Sequence, residues 1–278
     1  MSPKPQHVLV VDRTERLTPH MVRVHLGGPG FAAFVQDADP SRMAATDTYV
    51  KLLLPQPGTA LEPPYDLEAL RATLPKADLP ARRTYTVRAV DAAAGTLAVD
   101  FVVHGDTGLA GPWAANARPG DRIALSLPGG AYAPSDDPAV THVLLADDSA
   151  LPATAAALEA MHPSATGVAL VEVAGPADEQ PLVHPDGVLL RWLHRDATGA
   201  APGTLLLEAV RALPPLPHPV QAFVHGERGA VKAIRRLLQD EHGLAKSDMS
   251  LSAYWALGRA EDRFQDEKRE PVGAVFDD

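Results

Sequence analysis

The sequence predicts a two-domain β plus α/β protein, in which an all-β domain precedes a domain built on a parallel sheet. A chain of 278 residues is long enough for about two domains. Short apolar runs bounded by proline and glycine fill the first half, whereas strand-like and helix-like runs alternate in the second. The pattern changes at a segment rich in proline, aspartate and serine near residues 133–138, so we expect domains at 1–134 and 135–278.

The first half contains six predicted strands. They are short runs of apolar and β-branched residues at 7–12, 21–26, 49–54, 83–90, 95–103 and 122–127. Six short strands with turn signals between them indicate a sandwich or a small barrel. The stretch 56–80 is rich in proline and leucine without a clear period, and we expect a long loop with a short helix there.

The second half alternates between predicted strands and helices. The strands are expected at 141–145, 168–173, 188–192 and 221–225. One helix is expected at 149–161, with Ser149 as its N-cap and Pro152 in its first turn, where proline is tolerated. Another is expected at 228–242, with an apolar stripe along it and Gly243 just beyond its end. This alternation predicts a parallel sheet with helices on its faces.

Composition narrows the function classes. A formal net charge of −10 argues against nucleic acid or an anionic membrane surface as a partner. The chain has no cysteine, which excludes disulfides and cysteine-ligated zinc or iron–sulfur centres, and it has no H-E-x-x-H metal motif. Residues 1–7 lack a signal-peptide core, and no apolar run reaches the roughly 18 residues of a membrane helix. We therefore expect a cytoplasmic protein. We also expect it to be a monomer. The tail at 259–270 is dense in charged residues, which predicts a solvated helix.

The segment Arg83-Thr84-Tyr85-Thr86 is the first candidate site. Side chains alternate along a strand, so Arg83 and Tyr85 point the same way. The arginine offers a fixed cation for a pyrophosphate, the tyrosine a flat ring and a hydroxyl, and Thr86 a second hydroxyl with its backbone N–H. The segment resembles the R-x-Y-[ST] pattern of the ferredoxin-reductase superfamily. A half-exposed strand could also have this sequence by chance.

A glycine-rich turn follows the next predicted strand. The strand ends at His104, and the turn contains Thr107, Gly108 and Gly111 before Trp113. Such a turn opening a short helix exposes backbone N–H groups to an anion, which suits a dinucleotide pyrophosphate. Taken alone, His104 could be a strand-end histidine with a backbone partner, and Trp113 could be a core residue. Together with the Arg83 strand, they indicate one flavin site.

Over essentially its whole length the chain resembles the siderophore-interacting proteins. The similar pieces, in order, are Tyr49 to Leu53, Arg83 to Arg88, Val99 to Gly105, Trp113 to Ala115, Arg118 to Arg122, Pro128 to Gly130, Asp147 to Ala153, Gln180 to Leu182, Gly226-Glu227, Ser252 to Trp255, Gly258 and Glu261-Asp262. The chain departs from the family's usual residues at Ala146, Asp148, Leu109 and Pro112.

The resemblance implies a fold and a set of binding residues. The fold is ferredoxin reductase-like, with a six-stranded antiparallel Greek-key β-barrel that binds FAD and a parallel α/β domain that binds NAD(P)H and ends in a helical tail. The implied cofactor-binding residues are Arg83, Tyr85, Thr86, Val102, His104, Thr107, Gly108, Gly111, Trp113, Asp148, Ser149 and Ala150. Glu172, Glu227, Tyr254 and Trp255 are expected at the nicotinamide and flavin face, and Lys51 is expected to meet the siderophore.

The implied activity is reduction of a ferric siderophore to release Fe(II), with electrons passing through FAD from NADPH, NADH or ferredoxin. No side chain is expected to be catalytic, since the flavin performs the electron transfer. Two alternatives stay open: a flavin reductase with another acceptor, and a siderophore-binding protein without redox turnover. The sequence shows no clear basic pair for the 2′-phosphate of NADPH.

Overall fold

The computed structural model describes residues 5–105 and 107–276. Asp106, which belongs to the predicted phosphate turn, lies outside the described residues. The chain divides into two compact units, Met1–Ala131 and Tyr132–Asp278. Each unit has its own apolar core.

The first unit is a closed six-stranded antiparallel barrel in the order β1-β2-β5-β4-β3-β6. Its strands are β1 (His7–Thr18), β2 (Met21–Gly27), β3 (Tyr49–Leu54), β4 (Ala81–Asp91), β5 (Thr96–Val102) and β6 (Arg122–Leu125). All six predicted strands are present, so the sequence identified the elements and missed only the lengths of some. Alternate residues such as Leu9, Leu52 and Val99 are fully buried inside the barrel.

Short helices connect the strands of this unit. They are α1 (Gly30–Asp37), α2 (Pro40–Met43), α3 (Leu67–Thr73) and α4 (Ala110–Asn116). The helix predicted within 56–80 is confirmed as α3, which begins after Asp66, whose carboxylate accepts hydrogen bonds from two backbone N–H groups of its first turn. Helix α1 was not predicted; it buries Phe31 and Phe34 against the barrel core.

The second unit is a five-stranded parallel sheet in the order β11-β10-β7-β8-β9. Its strands are β7 (Thr141–Asp147), β8 (Thr166–Val173), β9 (Val188–His194), β10 (Val220–Glu227) and β11 (Met249–Trp255). Its helices are α5 (Leu151–Ala160), α6 (Thr204–Arg211), α7 (Arg228–His242) and α8 (Glu261–Glu267). The parallel sheet with helices is confirmed, and so is Gly243, which ends α7 in a left-handed conformation.

The strand order places a topological switch point beside the central strand. The chain runs from β7 outward through β8 to β9, and then crosses to β10 and β11 on the other side of β7. In open parallel sheets, ligands bind in the crevice outside the carboxyl ends of the strands at such a point. Here that crevice lies between the ends of β7 and β10.

Two local predictions for this unit were wrong. Ser149 is not the N-cap of α5: the cap position is Ala150, and the Ser149 hydroxyl instead donates to the carboxylate of Asp147. The tail helix is not simply solvated, because α8 buries Phe264 and Glu267. In the described part of the chain, no helix combines the length and apolar character needed to cross a membrane.

Candidate cofactor and nicotinamide sites

An aromatic row forms the centre of the candidate flavin site in the first unit. The Tyr85 ring packs against Phe101 with centroids 4.3 Å apart, and Phe101 packs against Trp113 at 5.6 Å. The half-buried Tyr85 and Trp113 are therefore brought together through a fully buried ring between them. Sequence reasoning missed Phe101, although its alternation with Val99 on β5 and with Val103 just beyond that strand marks it as an inward-facing residue.

Arg83 lies on β4 two residues before Tyr85. It pairs with Leu52 of β3 while Tyr85 pairs with Val50, so both face the same side of the barrel wall. The half-buried guanidinium donates to the backbone oxygen of Arg82 over 2.9 Å. Thr86 is buried and lies opposite Tyr49, on the other side of the wall. Its contact with the flavin remains a prediction.

The glycine-rich turn lies between the end of β5 and α4. Val102 ends β5, and His104 is exposed, with its carbonyl accepting from the Thr107 hydroxyl at 2.8 Å. Gly105 and Gly108 have φ values of 58° and 80°, and a Cβ atom built at either would meet no atom within 4 Å. Gly105, Thr107 and Gly108 are exposed, and the open space at the two glycines therefore leaves room for an anionic pyrophosphate to approach the backbone.

Gly111 has a different role in the same turn. A Cβ atom there would lie 3.1 Å from the carbonyl oxygen of Val102. The glycine thus allows α4 to approach the end of β5 closely. This close approach brings Trp113 of α4 within ring contact of Phe101. Together, the Arg83 cation, the aromatic row and the open glycine turn of this unit fit the chemical groups of FAD.

Lys51 lies on β3 and is half-buried. Its cross-strand partner is Thr84, so its side chain lies on the opposite side of the barrel wall from Arg83 and Tyr85. Its backbone N–H donates to the Ser126 hydroxyl at 3.0 Å. A siderophore contact by Lys51 remains a prediction, and this orientation limits it to a ligand that reaches the outer side of the wall.

Asp147 joins three strand ends in the second unit. It ends β7, and its Oδ2 atom accepts from the backbone N–H of Glu227 and from Trp255 Nε1, each at 2.8 Å. Its Oδ1 atom accepts from the backbone N–H and hydroxyl of Ser149, at 2.9 and 2.5 Å. Burial raises the pKa of Asp147 to about 7, with the nearby charge of Asp148 acting in the same direction. Asp147 was not among the predicted site residues.

A buried ion-pair group occupies the ends of β7 and β8. Arg195 donates to Asp148 at 2.9 Å and to Glu172 at 3.4 Å. Glu172 is fully buried and also accepts from the backbone N–H groups of Gly203 and Leu206, at the start of α6. Direct contact between Glu172 and a nicotinamide stays a prediction. The burial of the Glu172 side chain does not favour such a contact. Arg195 was not predicted, because its partners are far away in sequence.

The remaining predicted residues lie on β10 and β11. Glu227 caps α7, accepting from the Ala230 N–H at 2.8 Å, and also accepts from Leu257 N–H at 3.0 Å. The Tyr254 hydroxyl lies 3.2 Å from Nδ1 of His225, whose pKa burial lowers to about 3. Tyr254 and Trp255 are half-buried neighbours at the carboxyl end of β11. Ser149 and Ala150 lie just after β7, where Ala150 is fully buried.

The barrel followed by the parallel sheet defines a protein of the ferredoxin reductase-like fold. A ferredoxin-NADP+ reductase from Plasmodium falciparum shares this fold with a TM-score of 0.62 at 10% identity, over 89% of this chain and 95% of that one. Residues 10–132 match the siderophore-interacting FAD-binding domain, and residues 139–258 match the siderophore-interacting protein domain. The chain belongs to the siderophore-interacting protein family, as the sequence motifs predicted.

Relatives align along nearly the full length. An uncharacterized protein of Mycobacterium tuberculosis is 46% identical over 97% of both chains. The ferric vibriobactin reductase ViuB of Vibrio cholerae is 31% identical, over 95% of this chain and 94% of its own. The crystal structure of a siderophore utilization protein from T. fusca has a TM-score of 0.75 at 38% identity, covering 94% of this chain and 96% of that one.

Proposed function

We propose that this protein reduces ferric siderophores and releases the iron as Fe(II), using FAD and electrons from NAD(P)H. The observation that carries the proposal is the row Tyr85–Phe101–Trp113 beside an open glycine turn, within the FAD-binding domain of the family. The relationship to a ferric vibriobactin reductase supports the same substrate class. Fe(II) is released because hard oxygen ligands bind it far less strongly than Fe(III).

In this proposal the first unit binds and orients the cofactor. Arg83 holds the pyrophosphate by a charge-assisted contact, and the turn around Thr107 and Gly108 supplies backbone N–H groups. Tyr85 and Trp113 present ring faces to the isoalloxazine, while Phe101 fixes their separation. FAD, when bound, supplies the conversion between a two-electron donor and a one-electron acceptor.

The second unit is proposed to bind the electron donor. The segment Asp148-Ser149-Ala150 lies after β7 at the edge where parallel sheets bind nucleotides. Tyr254 and Trp255, held by His225 and Asp147, offer rings for the nicotinamide. Ferredoxin is an alternative donor, and Lys51 is proposed to attract an anionic ferric complex. We place the reaction in the cytoplasm and expect the protein to work as a monomer.

The test is anaerobic reduction of the purified flavoprotein followed by mixing with ferric siderophores. NADH, NADPH and reduced ferredoxin are each supplied, and flavin absorbance is followed near 450 nm, a general property of flavins. Reoxidation by a ferric siderophore, with Fe(II) trapped by a colorimetric chelator, is the expected result. Reoxidation only by other acceptors would indicate a general flavin reductase, and siderophore binding without reoxidation would indicate a binding protein; either overturns the proposal.

A further inference from the structure

The carboxyl end of β8 is the position that selects between NADH and NADPH in nucleotide-binding sheets of this type. The phosphate turn follows the first strand, here β7, and a residue at the end of the second strand meets the 2′ position of the adenosine ribose. In this sheet the second strand is β8, which pairs directly with β7 and ends at Val173. A bound nucleotide would therefore place its ribose near residues 174–179 and 195–203, which follow the carboxyl ends of β8 and its neighbour β9.

The arginine at this edge already forms ion pairs within the protein. Arg195 is the only arginine or lysine in those two segments, all of whose residues are described. Its side chain is 14% exposed and donates to both Asp148 and Glu172. Glu172 is in turn held by two backbone N–H groups of the start of α6. Binding a 2′-phosphate with Arg195 would require it to leave two carboxylates in a buried setting, which is costly.

The other charged groups at this edge are acidic or paired. His194, at the end of β9, lies 2.8 Å from Glu179. Glu179 and Asp196 are exposed, and Asp178 is buried and accepts from the backbone N–H of Gly175. A phosphate dianion here would face carboxylates without a free arginine or lysine, whereas a ribose 2′-hydroxyl can donate a hydrogen bond to one of them.

We propose that NADH, and not NADPH, is the donor for this protein, and that Arg195 with Glu179 and Asp196 determines the selection. This inference rests on the proposed function, because it assigns the nucleotide of the same site. The pairing of Arg195 removes the cation that a 2′-phosphate needs. The exposed carboxylates of Glu179 and Asp196 add repulsion against it.

The first test measures binding without turnover. NAD⁺ and NADP⁺ are titrated into the oxidised flavoprotein at low ionic strength by calorimetry. NAD⁺ should bind about tenfold or more tightly than NADP⁺, since like charges oppose only the second nucleotide. The difference should shrink at high salt, where exposed charges are screened. Equal or tighter binding of NADP⁺ overturns the inference and leaves the proposed function intact.

The second test reverses the charges. The double variant Glu179→Lys with Asp196→Lys should tighten NADP⁺ binding by about tenfold and leave the FAD content unchanged. The matched control is Asp240→Lys with Glu241→Lys, the same total charge change at two exposed residues near the end of α7, which packs at the opposite edge of the sheet. Failure of the double variant to gain NADP⁺ affinity, or an equal gain in the control, overturns the role of the two carboxylates.

Reduction kinetics separate this inference from the proposed function. NADH should reduce the flavin in the wild-type protein faster than NADPH at equal concentration. If neither nucleotide binds or reduces the flavin, the inference and the nicotinamide part of the proposed function fail together. Reoxidation of dithionite-reduced protein by a ferric siderophore still tests the siderophore part independently.

Discussion

The two units prepare their ligand-binding edges in opposite ways. In the barrel, the candidate site is an aromatic row beside a glycine turn whose backbone faces open space. In the parallel sheet, the carboxyl edge instead holds acidic side chains that are bonded within the unit. Asp147 accepts from the ends of β10 and β11 and from Ser149, and Glu172 accepts from Arg195 and from the start of α6. The comparison teaches that the barrel site consists of aromatic rings and exposed glycine backbone, which suits a cofactor with a flat ring and a pyrophosphate. In the sheet, the polar groups instead hold aromatic rings and loops of the same unit. Such an arrangement suits a nicotinamide donor, which dissociates after each reaction.

The largest expected effect comes from removing the carboxylate that joins three strands. Asp147→Ala leaves the buried N–H of Glu227 and the Trp255 indole N–H without their acceptor. We expect the free energy of unfolding of the second unit to fall by about 3 kcal/mol. Urea denaturation followed by tryptophan fluorescence measures it. Asp240→Ala, an exposed aspartate on α7, is the control; losses of similar size in both variants would contradict the structural role of Asp147.

The next largest effect tests the barrel side of the comparison. Arg83→Ala should weaken FAD binding by roughly 1.5–3 kcal/mol while the protein stays folded, because a charge-assisted contact to the pyrophosphate is lost. Fluorescence titration of the apoprotein with FAD measures the affinity. Arg82→Ala removes the same charge from the neighbouring, exposed position on the other side of the wall and should have little effect. Unchanged FAD affinity in Arg83→Ala would remove this residue from the site.

The pH dependence of stability sharpens the description of Asp147. Its pKa in the folded protein, about 7, lies above the ordinary value of 3.8, so the folded state binds the proton more tightly than the unfolded state. This contribution to stability is complete below about pH 3.8 and is lost as the pH rises through about 7. Denaturation midpoints of wild type and Asp147→Asn across this range measure it. The downward slope between pH 4 and 7 should be smaller in the variant, and identical slopes would contradict the assignment.

Sequence patterns predicted the parts of the molecule that depend on local order. The barrel strands alternate between apolar and polar residues, and the register places Arg83 and Tyr85 on one side, as their spacing predicts. Helix α6 and strand β11 were missed, because prolines flank the first and serines interrupt the apolar residues of the second. Helix α6 does have a helical period, with Leu206, Ala209 and Val210 on its buried face, but it is only eight residues long. Strand β11 has no such regular pattern and is fixed by pairing with β10.

The missed site residues share another cause. Asp147 contacts Trp255, which is 108 positions away, and Arg195 contacts Asp148, 47 positions away. Neither pairing leaves a local spacing that could be recognised in one sequence. Phe101 is different, because its alternation on β5 was visible; what the sequence lacked was the cross-strand placement that puts its ring between Tyr85 and Trp113.

The smallest expected effect concerns Lys51 and the siderophore. A chain with a net charge of −10 repels an anionic ferric complex, so a local cation is needed to attract it. A lysine is a mobile point charge that suits complexes of different shape. Lys51→Ala should therefore weaken apparent binding of anionic ferric complexes by roughly 1 kcal/mol, and less at high salt. FAD content and flavin reduction should not change, because Lys51 lies on the other side of the wall from Arg83 and Tyr85. Lys76→Ala, an exposed lysine of the same unit, is the matched control. Steady-state kinetics with anionic and neutral ferric complexes measures the difference: an equal loss with both would assign Lys51 to the barrel, and no loss with either would leave the siderophore contact to another residue.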